Sequence, residues 1–168
     1  MKRLWAPWRL AYVTRETPAE DDGCFLCTAP KRQDDAVTLI VARAEHCFAI
    51  LNRYPYNPGH LMVAPYQHVP TIEELDAPTL TDIMLLAQRC LAALRAAMRP
   101  DGFNMGINQG KVAGAGVTDH VHYHIVPRWN GDTNYMQVLG DVKVMPDLLE
   151  NTYQQVRTAL ETLTRPTG

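Results

Sequence analysis

The chain has 168 residues, 46% of them hydrophobic and 20% charged, with a formal net charge of −2. That length suits one well-packed domain and is short for two, and the near-balanced charge excludes a protein that grips nucleic acid through bulk electrostatics. No apolar run reaches membrane-spanning length, and Pro7 and Arg9 interrupt the start, so neither a membrane partner nor a signal peptide is expected and the cytoplasm is the expected compartment.

Residues 1–23 read as an N-terminal arm and loop. Trp5, Trp8 and Tyr12 stand among Arg3, Arg9 and Arg15, a density of aromatics that packs on the domain body or on a second subunit, with stacking on a nucleobase as the alternative. The run Thr17-Pro18-Ala19-Glu20-Asp21-Asp22-Gly23 has turn chemistry. Cys24 and Cys27 then form a C-x-x-C pair. A redox pair normally opens a helix that lowers a thiol pKa, whereas the acidic residues in front of this one would raise it. Tetrahedral zinc, completed by two histidines from elsewhere, is the preferred reading, and two inert thiols are the alternative.

Strands are expected over 36–42, 47–51 and 60–65, the last entered through a proline-stiffened turn over 52–59. Main helix 77–99 carries an apolar stripe of Ile83, Ala87, Cys90, Leu94 and Met98, with Cys90 as a small core residue, and Pro100-Asp101-Gly102 stops it. A fourth strand is expected over 103–108, followed by a glycine-rich loop from Gln109 to Asp119. A last helix over 146–164 shows Leu149, Tyr153, Val156, Leu160 and Leu163 at helical spacing.

The most informative stretch is His120-Val121-His122-Tyr123-His124-Ile125-Val126-Pro127-Arg128-Trp129. In an extended backbone the three histidines share one face, with successive Cα atoms about 6.6–7 Å apart, while Val121, Tyr123 and Ile125 pack on a core. A glycine loop lets backbone N–H groups approach phosphate oxygens, and here it delivers the chain into that imidazole row. The combination suggests substitution at phosphorus by a histidine nucleophile through a phosphoramidate intermediate. A zinc hydroxide held by the three histidines is the rival chemistry. About 13 Å between the outer Cα atoms counts against one metal held by all three.

The segment from His120 to Val126 resembles the H-φ-H-φ-H-φ-φ signature of the histidine-triad superfamily of nucleotide hydrolases and transferases. Asn52-Arg53-Tyr54-Pro55-Tyr56-Asn57-Pro58-Gly59-His60 is similar to its fragile-histidine-triad branch. The run Val126 to Asn134 looks like bacterial diadenosine tetraphosphate phosphorylase-like members. The resemblance spans nearly the whole chain. It implies an α+β fold, with a five-stranded antiparallel sheet, one long helix packed on it and a C-terminal helix. The HIT core would occupy 24–130 and an extension 131–168, and two copies would form a homodimer.

For chemistry, the resemblance implies that His122 attacks the α-phosphorus and becomes nucleotidylated, with a backbone carbonyl fixing its tautomer. His124 and His60 complete the polar cluster, and Asn108 contacts the phosphate or leaving group. Asn52 takes the ribose-contacting position, and Gly114 and Gly116 present backbone to the phosphates. Gln109 is expected in the substrate-binding set, and so is Trp129, which lacks an equivalent in most branches and either stacks on a base in the neighbouring subunit or packs at the interface. Cys24, Cys27, His68 and His120 match a closed structural zinc site, and Mg²⁺ would accompany the nucleotide. The expected activity is cleavage of a dinucleoside polyphosphate, as a diadenosine tetraphosphate phosphorylase or hydrolase. Alternatives are a purine nucleoside phosphoramidase or general nucleotide hydrolase, and a non-catalytic nucleotide-binding regulator. Val117 stands where many members carry Ser or Thr to assist the leaving group. Neighbouring Thr118 would face the other way in an extended segment, so leaving-group assistance here comes from elsewhere and a phosphoramidate substrate is less attractive.

Overall fold

The computed structural model describes residues 23–132 and 147–164. The aromatic arm, Thr133, Asn134 and the expected helix start at Pro146 lie outside them. Five strands form one antiparallel sheet: β1 (Ile40–Arg43), β2 (Cys47–Leu51), β3 (Leu61–Pro65), β4 (Gly102–Ile107) and β5 (Tyr123–Arg128), in spatial order β1-β2-β3-β5-β4. Among the described residues, four α-helices accompany them: α1 (Phe25–Thr28), α2 (Asp35–Thr38), α3 (Ala77–Met98) and α4 (Leu149–Thr164). The expected α+β architecture is the one observed.

Helix α3 begins at Asp76, whose carboxylate accepts from Thr79 N, with Pro78 in the first turn where its missing N–H costs nothing. It ends at Arg99 in the left-handed conformation. Ile83, Leu86, Ala87, Cys90, Ala93 and Leu94 face inward at helical spacing and pack on β2, β3 and β5. Cys90 is fully buried, and burial pushes its thiol up to about 12, so it behaves as a small apolar core group. Helix α4 lies against α3 and β1 through Tyr153, Val156 and Leu160, while Leu163, expected on the same stripe, is exposed.

Two expectations are corrected. Residues 36–38 are helical, not extended: Asp34 caps α2 by accepting from Val37 N, and Leu39 at φ 67 turns the chain into β1 only at Ile40. The histidine segment joins the sheet ladder only at Tyr123. Residues 120–122 bond outside it, with Val121 N donating to Val69 O at 2.7 Å. At the entry to β3, Gly59 has φ 74, and a Cβ there would lie 2.7 Å from Met98 Sδ and 3.2 Å from Pro127 Cγ. That close approach brings His60 into the core next to β5.

Candidate active site

Three imidazoles meet where β3 and β5 run side by side. Register opposes Met62 to His124, and His60 stands immediately before β3. His60 Nε2 lies 2.9 Å from His124 Nδ1, and the His122 and His124 rings are 4.7 Å apart between centroids, edge to face. His60 is fully buried and His122 nearly so.

Hydrogen bonds fix the protons on these rings. Tyr56 N donates to His60 Nδ1 at 3.1 Å, so that nitrogen is the acceptor and Nε2 carries the hydrogen. His60 Nε2–H then donates to His124 Nδ1, which leaves the hydrogen of His124 on Nε2. Separately, His122 Nδ1 donates to the carbonyl of His120 at 2.9 Å, and its Nε2 keeps a lone pair. Burial pushes the His124 pKa down to about 4, with the neighbouring His122 adding to the effect. Burial also lowers His122, against an opposing contribution from the His120 carbonyl. Around neutral pH the cluster therefore combines a nucleophilic nitrogen with an N–H donor, both on neutral rings.

His122 and His124 line a cavity of about 330 Å³. Its apolar walls include Phe25, Leu39, Ile50 and Met62, while Asn52, Gly114 and Gly116 border the histidines' cavity as well. Asn52 is held by its own turn: its Oδ1 accepts from Tyr54 N at 2.9 Å, and its Nδ2 reaches His60 Nδ1 at 3.4 Å. Arg32 and Arg53 also line the cavity, and among the described residues no carboxylate does. A space with apolar walls, two guanidiniums, imidazoles and glycine backbone suits an anion carrying a flat apolar group.

The expected residues divide. His122, His124, Asn52, Gly114 and Gly116 line the cavity, and His60 supports it from behind. Asn108 follows β4 and is outside the cavity lining. Gln109 ties the glycine loop to the segment before α3, accepting from Ile72 N at 2.8 Å and donating to Glu73 Oε2. Trp129 turns away within the chain, its indole N–H donating to Met98 O at the end of α3. Sequence reasoning missed Arg32 and Arg53. Arg53 had a signal, its place directly after Asn52, while Arg32 had none.

A second group lies beside the first. The ligand atoms of Cys24, Cys27, His68 and His120 all fall within 4.8 Å of one another. Cys27 Sγ is 3.2 Å from His68 Nδ1 and 3.4 Å from His120 Nδ1, Cys24 Sγ is 3.4 Å from His120 Nδ1, and the two histidine Nδ1 atoms are 3.3 Å apart. The edges of a tetrahedron around zinc with these ligands are about 3.3–3.8 Å. His120 Nε2 donates to Pro65 O at 2.9 Å, which leaves Nδ1 free to ligate, the usual second partner of a metal-bound histidine. These four residues could hold a metal ion.

Residues 33–131 match the family model described as the HIT domain. The chain is 38% identical over 164 residues to an AP-4-A phosphorylase of Mycobacterium tuberculosis, covering 94% of this chain and 84% of that one. It is 37% identical over 100 residues to a bis(5'-adenosyl)-triphosphatase of Dictyostelium discoideum, covering 59% of this chain and 66% of that protein. Among solved structures, a Zn-bound histidine triad family protein from Mycobacterium smegmatis superposes with a TM-score of 0.66 at 28% identity, covering 83% of this chain and 93% of that one.

Proposed function

The chain belongs to the HIT domain family, and from that premise we propose that it is a nucleotidyl hydrolase or transferase that cleaves dinucleoside polyphosphates through a His122–nucleotide intermediate. The observation that carries this reading is the hydrogen bond from His122 Nδ1 to the His120 carbonyl, which leaves a lone pair on Nε2 of a cavity-lining ring. That nitrogen attacks the α-phosphorus, a P–N bond forms, and the bond to the bridging oxygen breaks to release a nucleoside polyphosphate. The His124 Nε2–H and the loop backbone stabilise the charge on the phosphoryl oxygens as it builds. Water or inorganic phosphate then displaces the histidine and restores the free imidazole.

Val117 lines the cavity and has no proton to give. A polyphosphate leaves as a stable anion without one, whereas an amine needs protonation, so the cavity favours anhydride over phosphoramidate substrates.

Zinc is the metal assigned to Cys24, Cys27, His68 and His120, a closed Cys₂His₂ set with no position open for chemistry, which makes the role structural. Such thiols persist in a reducing compartment such as the cytoplasm. A homodimer is supported by the edge position of β4 and by exposed Met105 on that strand and Met84 and Leu85 on α3. Light scattering on the purified chain tests it, and a monomeric mass refutes it.

Product analysis with diadenosine tetraphosphate tests the activity. ATP plus ADP formed only with phosphate identifies a phosphorylase, and ATP plus AMP regardless of phosphate identifies a hydrolase. Absence of turnover in both conditions overturns the reading.

A further inference from the structure

The turn of helix α1 belongs to two sites at once. Cys24 and Cys27 present their sulfurs to His68 and His120, while Phe25 and Thr28, each one residue further on, line the cavity that holds His122 and His124. Helical spacing produces this division: residues three apart share a face, and the next pair along is rotated by about 100°. Short bonds keep the turn tight, with Cys27 N and Thr28 N both donating to Cys24 O at 2.9 and 3.1 Å. Ala29, next in the chain, also borders the cavity, as does Arg32. Phe25 is 42% exposed, a large aromatic left half open beside a cavity. Leu26 is the one member of α1 fully buried in the core, so a single four-residue turn, too short to be stable alone, is held by one apolar anchor and the Cys/His group.

We propose that the metal group is thermodynamically coupled to nucleotide binding: metal held by Cys24, Cys27, His68 and His120 seats Phe25 and Thr28 as one wall of the nucleotide cavity, and a nucleotide packed on that wall tightens the metal in return. This rests on reading the cavity as a nucleotide site. The wall contributes to affinity for the apolar part of the ligand, and the reacting atoms are left to the histidines. Coupling of this kind is reciprocal, so each ligand raises the affinity of the other by one common factor. The alternative, a metal that holds the fold alone, predicts no dependence of that factor on Phe25.

The test uses the full-length protein, zinc alone and AMP alone as probes. Zinc affinity is measured by competition with a chelator with and without saturating AMP, and AMP affinity by calorimetry on zinc-loaded and metal-free protein. Each ligand is expected to tighten the other by about fivefold or more. Phe25→Ala keeps all four ligands, so it is expected to retain zinc while the coupling factor falls towards one. AMP that binds the wild type without changing zinc affinity overturns the inference. So does a coupling that survives undiminished in Phe25→Ala at saturating AMP, because it then arises from folding alone. Failure of AMP to bind the zinc-loaded wild type removes the nucleotide reading of the cavity itself, a result distinct from the other two.

Discussion

The carbonyl oxygen of His120 accepts a hydrogen bond from His122 Nδ1 at 2.9 Å, while the His120 side chain faces the cysteine pair through its own Nδ1. One residue thus sets the tautomer of its neighbour with its backbone and offers a metal ligand with its ring. His122 is the member of the row left with a lone pair facing the cavity, and so the one able to act as nucleophile. His122→Asn keeps a polar side chain of similar reach but supplies no comparable nucleophile. Its kcat on diadenosine tetraphosphate is expected to fall on the order of a thousandfold or more, with AMP affinity changed by less than about tenfold. Wild-type turnover in this variant refutes the covalent route.

His124 carries a pH dependence. Its pKa in the folded chain is about 4, against an ordinary 6.5, because burial and the adjacent His122 disfavour the charged ring. The unfolded chain therefore binds the extra proton first. Stability from this group is complete above pH 6.5 and is lost as pH falls towards 4, by about 3 kcal/mol at most. Urea unfolding of the wild type and His124→Asn across pH 7 to 4.5 checks this. The variant is expected to lose less stability over that range, and parallel curves contradict the assignment.

Val117 offers a gain-of-function test. Serine at this position would place a hydroxyl on the cavity lining, where a departing amine could take a proton. Val117→Ser is expected to raise the rate on an adenosine phosphoramidate by about tenfold or more relative to the rate on diadenosine tetraphosphate. An unchanged ratio places leaving-group protonation elsewhere.

Metal content follows from the geometry of the four ligand atoms. The wild type is expected to purify with close to one zinc per chain, and Cys24→Ala with much less, since three ligands forfeit a large share of the binding free energy. Mass spectrometric metal analysis decides, and equal zinc in both proteins refutes the site.

Much of this arrangement was legible in the sequence because its signals are local and periodic. The alternation of His122 and His124 with Tyr123 and Ile125 identified the face that meets the cavity, but His120, expected on that same face, turns its ring to the cysteine pair, and the ladder begins only at Tyr123. The difference arises because the backbone of Val121 bonds to Val69, a partner no local pattern reveals. Residues 36–38 misled for a related reason: Val37 and Thr38 favour strands, and the Asp34 cap with a left-handed Leu39 overrode that preference. Trp129 and Gln109 are polar-capable side chains near the site in sequence. Only tertiary structure reveals that the first bonds the end of α3 and the second bonds the segment containing Ile72 and Glu73. Exposed arginines such as Arg32 look like any solvated surface residue until a cavity is seen beside them.

Nucleotidyl transfer through this site requires that His122 form a bond to phosphorus. That bond can be trapped by mixing enzyme briefly with diadenosine tetraphosphate labelled at the α-phosphorus, quenching in alkali and digesting, because a phosphoramidate survives alkali and is lost in acid. Label is expected on the peptide containing His122, with fragmentation placing the adenylyl group on that residue, and none in His122→Asn. Turnover with no trapped label, or label on His124 or His60, rules out His122 as the nucleophile.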